Sequence, residues 1–236
     1  LGRTKNAQWI NDIQHQRMIS ENLKNIQASI PSHVTLVAVS KTKPVEALME
    51  VYNAGQRVFG ENKVQEMCDK YDVMPKDIQW HLIGHLQTNK VKYIAPFVAL
   101  IHSVDSFKLL EEINKQALKN NRVIDCLLQF HIAQEETKFG LSENEASVLI
   151  ASNEFNMLKN VRIVGVMGMA SFTEDNEAVR NEFQSLKKIF TNLKNKFFSK
   201  EDCFKEISMG MSGDYLLAIE EGSTMVRVGS SIFGTR

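Results

Sequence analysis

Short apolar runs alternate with stretches of helical spacing along almost the whole chain. Eight such runs lie near residues 34–41, 57–60, 78–83, 97–103, 123–132, 161–169, 204–208 and 224–229. Between them apolar residues recur at spacings of three and four. Val179, Phe183, Leu186, Phe190, Leu193 and Phe197 form the strongest such stripe. Strand–helix alternation builds a parallel sheet covered by helices, and eight strands is the number that closes a (β/α)8 TIM barrel. A doubly wound open sheet is the rival. Two features favour the barrel: no run reads as a polar edge, and too little sequence follows the last run for an eighth full helix. The expected fold class is therefore α/β, with residues 1–236 as one barrel domain. Ile19, Leu23, Ile26 and Ile30 mark an extra N-terminal helix, expected to cover the gap between strands eight and one. Residues 1–18 open on Leu1 rather than methionine and are expected to be disordered, processed or added in cloning.

Local signals sharpen the boundaries. Helices are expected from Pro44 to Gly55, over Glu61 to Tyr71, briefly over Asn89 to Ala95, and around Tyr215 to Glu220. Asp105 or Ser106 caps the helix carrying Leu110, Ile113 and Ala117. Ser142 with Glu145 is a capping box for a helix through Ala151.

Charge and cysteine usage narrow the classes of function. With 28 basic and 28 acidic residues the chain projects no global field toward nucleic acid or an anionic membrane. No apolar run approaches a membrane span, and the N-terminus has no secretory pattern. Cys68, Cys126 and Cys203 make neither a metal spacing nor a disulfide framework, so reduced thiols in the cytoplasm are expected. His81 and His85 are four apart, but Gly84 and the apolar strand spoil a helical zinc pair. No Walker-type loop or H-E-x-x-H motif appears, and Gly165-x-x-Gly168 is too weak for a dinucleotide fingerprint. Met167 and Met169 suit packing.

In a barrel of this kind chemistry gathers at the carboxyl ends of the strands. The first run, Leu36-Val-Ala-Val-Ser-Lys41, ends in a lysine that shares a face with Val37 and Val39. An amine held against apolar side chains, with Lys43 nearby, loses solvation and becomes a nucleophile toward aldehydes, the route to a Schiff base. A lysine at a strand end also serves simply to reach solvent. Gly210-Met-Ser212-Gly213 precedes a helix, so its backbone N–H groups and the Ser212 hydroxyl suit an anion. Gly229-Ser230-Ser231 offers a second set, without a Cβ at Gly229. Arg227 alternates with Met225 and Gly229 and so points toward the barrel mouth, toward a carboxylate or a ring nitrogen.

Five segments together resemble the YggS/PROSC family of pyridoxal-phosphate-binding proteins, the pyridoxal phosphate homeostasis proteins. They are Ala38-Val-Ser-Lys-Thr-Lys-Pro44, Phe59-Gly-Glu-Asn62, Trp80-His-Leu-Ile-Gly84 with Leu86-Gln-Thr-Asn-Lys90, Ser208-Met-Gly-Met-Ser212, and Ser223-Thr-Met-Val-Arg-Val-Gly229. The resemblance runs from about Val34 to Arg236. It implies the fold of the alanine-racemase N-terminal domain and pyridoxal 5'-phosphate (PLP) as cofactor. It implies that Lys41 carries the cofactor, that Ser212, Gly229 and Ser230 hold its phosphate, that Arg227 faces the pyridine nitrogen, and that Asn62 lies near the ring. Two positions depart from the family: Lys63 stands where tyrosine is usual, and His131 where asparagine is common.

The function so implied is a vitamin B6 homeostasis protein that holds PLP on Lys41 and buffers it or delivers it to PLP-dependent apo-enzymes. A PLP-dependent amino-acid racemase is the alternative. It needs an acid/base group on each face of the substrate carbon. Alanine racemases take the second from an added β domain that also dimerises them. This sequence offers no such group, so a monomeric binding protein rather than an enzyme is expected.

Overall fold

The computed structural model describes residues 18–133 and 139–234. The expectation for residues 1–17 therefore falls outside the described residues, whereas Met18 already belongs to the first helix, α1 (residues 18–29). The strands are β1 Thr35–Val39, β2 Val58–Glu61, β3 Gln79–Leu82, β4 Leu100–Val104, β5 Ile124–Phe130, β6 Val161–Gly168, β7 Glu206–Met211 and β8 Met225–Val228. They pair in chain order, all parallel, and β8 pairs back onto β1 through Thr35↔Met225 to Ala38↔Val228. The expected barrel is what forms.

Alternation divides each strand between two cores. Val37, Leu100, Leu127, Val164, Met167 and Met225 fill the barrel interior. Ala38, Phe59, Trp80, Ile101, Leu128 and Val226 face outward under the helices. Burying each larger side chain contributes about 1.5–3 kcal/mol.

The covering helices are α2 Val45–Asn53, α3 Val64–Val73, α4 Val91–Ile94, α5 Phe107–Lys119, α6 Glu143–Ala151, α7 Asn153–Asn156, α8 Asn176–Phe197, α9 Tyr215–Glu220 and α10 Ser230–Phe233. Ser106, not Asp105, caps α5 by accepting from the Leu109 N–H. The Ser142–Glu145 capping box forms as expected. A 3-10 turn, Thr88–Lys90, precedes α4. The short α7 carried no helical periodicity of its own.

Three expectations are corrected. Glu61 ends β2 instead of opening a helix, because it is buried and pairs in register with Leu82. β7 begins later and runs further than expected, since Phe204 is drawn into the helix-side core. And β1 and β8 leave no gap: they are hydrogen-bonded neighbours. Ile19 and Leu23 of α1 are buried, Asn22 donates to the Ile232 carbonyl at 3.1 Å, and Ser29 meets the Tyr215 hydroxyl at 3.0 Å. So α1 docks beside α9 and α10.

Candidate functional site

The carboxyl ends of the strands gather most of the residues singled out from sequence. β1 stops at Val39, and Ser40, Lys41, Thr42 and Lys43 make a tight turn closed by the Lys43 N–H on the Ser40 carbonyl at 3.0 Å. Thr42 takes a left-handed φ of 65°, a conformation rare for a β-branched residue. Lys41 is exposed. That corrects the expectation of an amine enclosed by the β1 valines: the turn lifts it clear of the barrel wall. Its side chain makes no hydrogen bond or ion pair among the described residues.

Asn62 follows β2 and is half-buried. Gly84 lies against its backbone so closely that an added Cβ would meet the Asn62 carbonyl oxygen at 2.3 Å. Asn62 also borders a cavity of about 570 Å³ shared with Lys63, His85, Gln87, Lys90 and Tyr93. Lys63, one of the two unusual positions, is exposed at the start of α3. His131, the other, contacts the Ala133 carbonyl through Nε2 at 2.7 Å.

The two small-residue turns meet. The Gly229 N–H donates to Ser212 Oγ at 3.1 Å, leaving the hydroxyl hydrogen free to donate. A Cβ on Gly229 would stand 3.0 Å from the Val39 carbonyl oxygen, so the bare backbone keeps this spot open. Ser230 is exposed beside it. The Gly210–Gly213 turn offers less than expected, because the Met211 N–H is taken by Asp214 Oδ1 at 2.5 Å.

Arg227 points inward, as its alternation with Met225 requires, and is only 4% exposed. It donates to Ser208 Oγ at 2.6 Å and to the Gly168 carbonyl at 3.0 Å. It makes no ion pair among the described residues. Burial pushes its pKa down to about 10, so it remains a cation at neutral pH.

Sequence reasoning missed what lies behind Arg227. Ser208 Oγ meets His102 Nδ1 at 3.0 Å, and His102 Nε2 meets His81 Nδ1 at 3.0 Å. All three are buried. Burial pushes His81 down to about 3, and burial with the charge of Arg227 holds His102 well below the usual histidine range. This polar file crosses the barrel to a cavity of about 430 Å³ at the amino-terminal mouth, which His81 lines. The signal was available in His102, an inward polar residue in an otherwise apolar run. A second missed group is Lys70, which takes a core position between Met67 and Met74 on α3 and pairs with Glu61 at 2.6 Å and Glu66 at 2.8 Å. Burial pushes the Glu61 carboxyl up in spite of that partner.

The mouth thus combines a free amine, a hydroxyl paired with open backbone, and a buried cation, on a closed parallel barrel. The class of protein is given by the sequence as a whole: the family model for the alanine racemase N-terminal domain fits residues 15–236. A pyridoxal phosphate homeostasis protein of Aquifex aeolicus is 42% identical over 203 residues, covering 85% of this chain and 86% of its own. Structures of PipY from Synechococcus elongatus PCC7942, without and with PLP bound, give TM-scores of 0.85 and 0.82. Their identities are 34% and 33%, and each alignment covers 92% of this chain and 100% of PipY. An alanine racemase of Clostridium difficile gives a TM-score of 0.74 at 15% identity, covering 93% of this chain and 56% of the racemase, a likeness of fold alone. The chain belongs to the pyridoxal phosphate homeostasis protein family.

Proposed function

We propose that this protein binds pyridoxal 5'-phosphate at the carboxyl mouth of the barrel and serves intracellular PLP homeostasis, buffering the cofactor or delivering it to apo-enzymes. Lys41 is the residue we assign to the Schiff base: its amine joins the aldehyde carbon and water leaves. Ser212, Gly229 and Ser230 are assigned to the phosphate, Arg227 to the pyridine nitrogen, and Asn62 to the ring's surroundings.

The observation that carries the reading is Arg227, a buried guanidinium that makes no contact ion pair among the described residues and feels the Asp214 carboxylate only at longer range. Burying a cation without an anion is costly, and a hydrogen-bond acceptor on a ligand would offset that cost. A donor-only group there keeps a ring nitrogen unprotonated and weakens the cofactor as an electron sink. This favours holding over turnover. The PLP-bound state of PipY, a relative at 33% identity, supports the same ligand.

We read the protein as a cytoplasmic monomer formed by one barrel domain. No described helix is long and apolar enough to cross a membrane. The reading makes the protein a carrier without its own reaction.

The test is an absorbance spectrum of the protein mixed with PLP, before and after borohydride reduction, followed by peptide mapping. The expected label is on Lys41; label on Lys43 or Lys90 would refute the assignment. A racemase assay with L- and D-alanine checks the remainder, since sustained turnover would overturn the carrier reading.

A further inference from the structure

The turn that bears Lys41 is closed by its own Lys43–Ser40 bond, but that bond leaves Thr42 unsupported. Thr42 is its third residue, with φ 65°, and a β-branched side chain disfavours that conformation. Relaxation of Thr42 would rotate the preceding peptide and swing Lys41 away from its present direction. What prevents this comes from α3 and β2. Glu66 Oε1 accepts the Thr42 N–H at 2.5 Å. Lys70 Nζ donates to the Ser40 carbonyl at 2.8 Å, to Glu66 Oε1 at 2.8 Å and to Glu61 Oε1 at 2.6 Å. The Ser40 hydroxyl donates to the same Glu61 oxygen at 2.6 Å.

The ammonium of Lys70 has three hydrogens, and all three are committed. Its side chain is 6% exposed and that of Glu61 is fully buried, so the network is largely shielded from water. Two of these five bonds grip the backbone on both sides of Lys41: the carbonyl of the residue before it and the N–H of the residue after it. The amine itself is left unengaged.

We propose that Glu66 and Lys70 are positioning residues for Lys41, clamping the strained turn from beneath so that the amine meets an incoming aldehyde in a fixed direction. The proposal rests on the Schiff-base reading above. A reactive group displaced by about 1 Å can lose on the order of a hundredfold in rate.

The experiment follows PLP capture by the apo-protein in a stopped-flow spectrometer. It is combined with hydrogen exchange at the Thr42 amide measured without cofactor. Glu66→Ala is the informative variant, because Lys70→Met would strand the buried Glu61 carboxylate and threaten folding. We expect Glu66→Ala to slow capture about tenfold or more and to speed Thr42 exchange. Glu66→Gln keeps an Oε1 acceptor and should restore most of both. Thr42→Gly added to Glu66→Ala should recover part of the capture rate, since glycine holds positive φ without strain. Parental capture rates and unchanged Thr42 exchange in Glu66→Ala would overturn the clamp. So would a Glu66→Gln protein as slow as Glu66→Ala, which would make charge alone responsible. Failure of the Schiff-base reading would appear in the parent protein, as label absent from Lys41. Failure of the clamp would appear only in the variants.

Discussion

Arg227 donates to the Ser208 hydroxyl at 2.6 Å, and this one bond fixes the direction of every hydrogen behind it. Arginine is a donor only, so Ser208 accepts there. The hydroxyl hydrogen then needs an acceptor, and its other partner is His102 Nδ1. That leaves the His102 hydrogen on Nε2, where it donates to His81 Nδ1, and so places the His81 hydrogen on Nε2 as well. Long-range proton–nitrogen correlation spectra should show both rings as neutral Nε2–H tautomers. An Nδ1–H signal from either ring would rule out this arrangement of hydrogens.

The same two rings should govern acid stability. His81 falls from its ordinary 6.5 to about 3 in the folded protein. Between those values the unfolded chain binds more protons, so stability drops as pH falls below about 6.5 and goes on dropping toward about 3. The slope from one such group approaches 1.4 kcal/mol per pH unit. Urea titrations from neutral pH downward should show a shallower loss in His81→Gln than in the parent, whatever that variant's stability at pH 7.

Arg227→Met separates binding from folding. The substitution removes a buried cation that makes no ion pair among the described residues and feels Asp214 only at longer range, and replacing buried charge by an apolar side chain is often neutral or favourable to stability. Urea denaturation should place the variant within about 1 kcal/mol of the parent or above it. PLP should dissociate faster from it, with the absorbance maximum shifted by the changed surroundings of the ring nitrogen. A large loss of stability with unaltered cofactor release would contradict the assignment.

Gly84→Ala tests the support of Asn62. The new methyl group would sit 2.3 Å from a backbone oxygen, which cannot step aside as a flexible side chain could. A cost of about 1–3 kcal/mol is expected. Weaker PLP retention should accompany it, measured by equilibrium dialysis.

Trp80→Phe should cost less than its buried area suggests. Trp80 is fully buried and packs at a tilt against Phe59, with ring centroids 5.9 Å apart. Its Nε1–H has no hydrogen-bond partner among the described residues. Losing an unsatisfied donor offsets part of the lost packing, since such a group carries a penalty of about 1–3 kcal/mol. Chemical denaturation of the two proteins side by side measures the difference.

The architecture was legible because it rests on repetition. Period-2 runs and spacings of three and four recur often enough that small boundary errors, such as those at β7 and β8, do not change the count. Family motifs then supplied Lys41, Ser212, Arg227, Gly229 and Ser230, and the fold brings the two turns among them together. Other features were not legible, because they depend on contacts between distant segments. That Lys41 is exposed follows from a turn whose hand is imposed by Glu66. That Lys70 is buried depends on a carboxylate nine residues earlier, on another element. His102 lies on β4, 106 residues before Ser208 on β7, and only the closed ring sets it in line with Ser208 and Arg227.

Ring closure also constrains when the mouth can exist. β1 carries Lys41 just beyond it and β8 carries Gly229 just beyond it, and the two strands are neighbours only through the seam from Thr35↔Met225 to Ala38↔Val228. Pairing segments so distant in sequence is entropically expensive and comes late in folding. During synthesis, therefore, the amine emerges from the ribosome long before its opposite bank. A nascent chain holds no finished receptacle for a reactive aldehyde until β8 has been made, and local opening of that seam would dismantle both banks together.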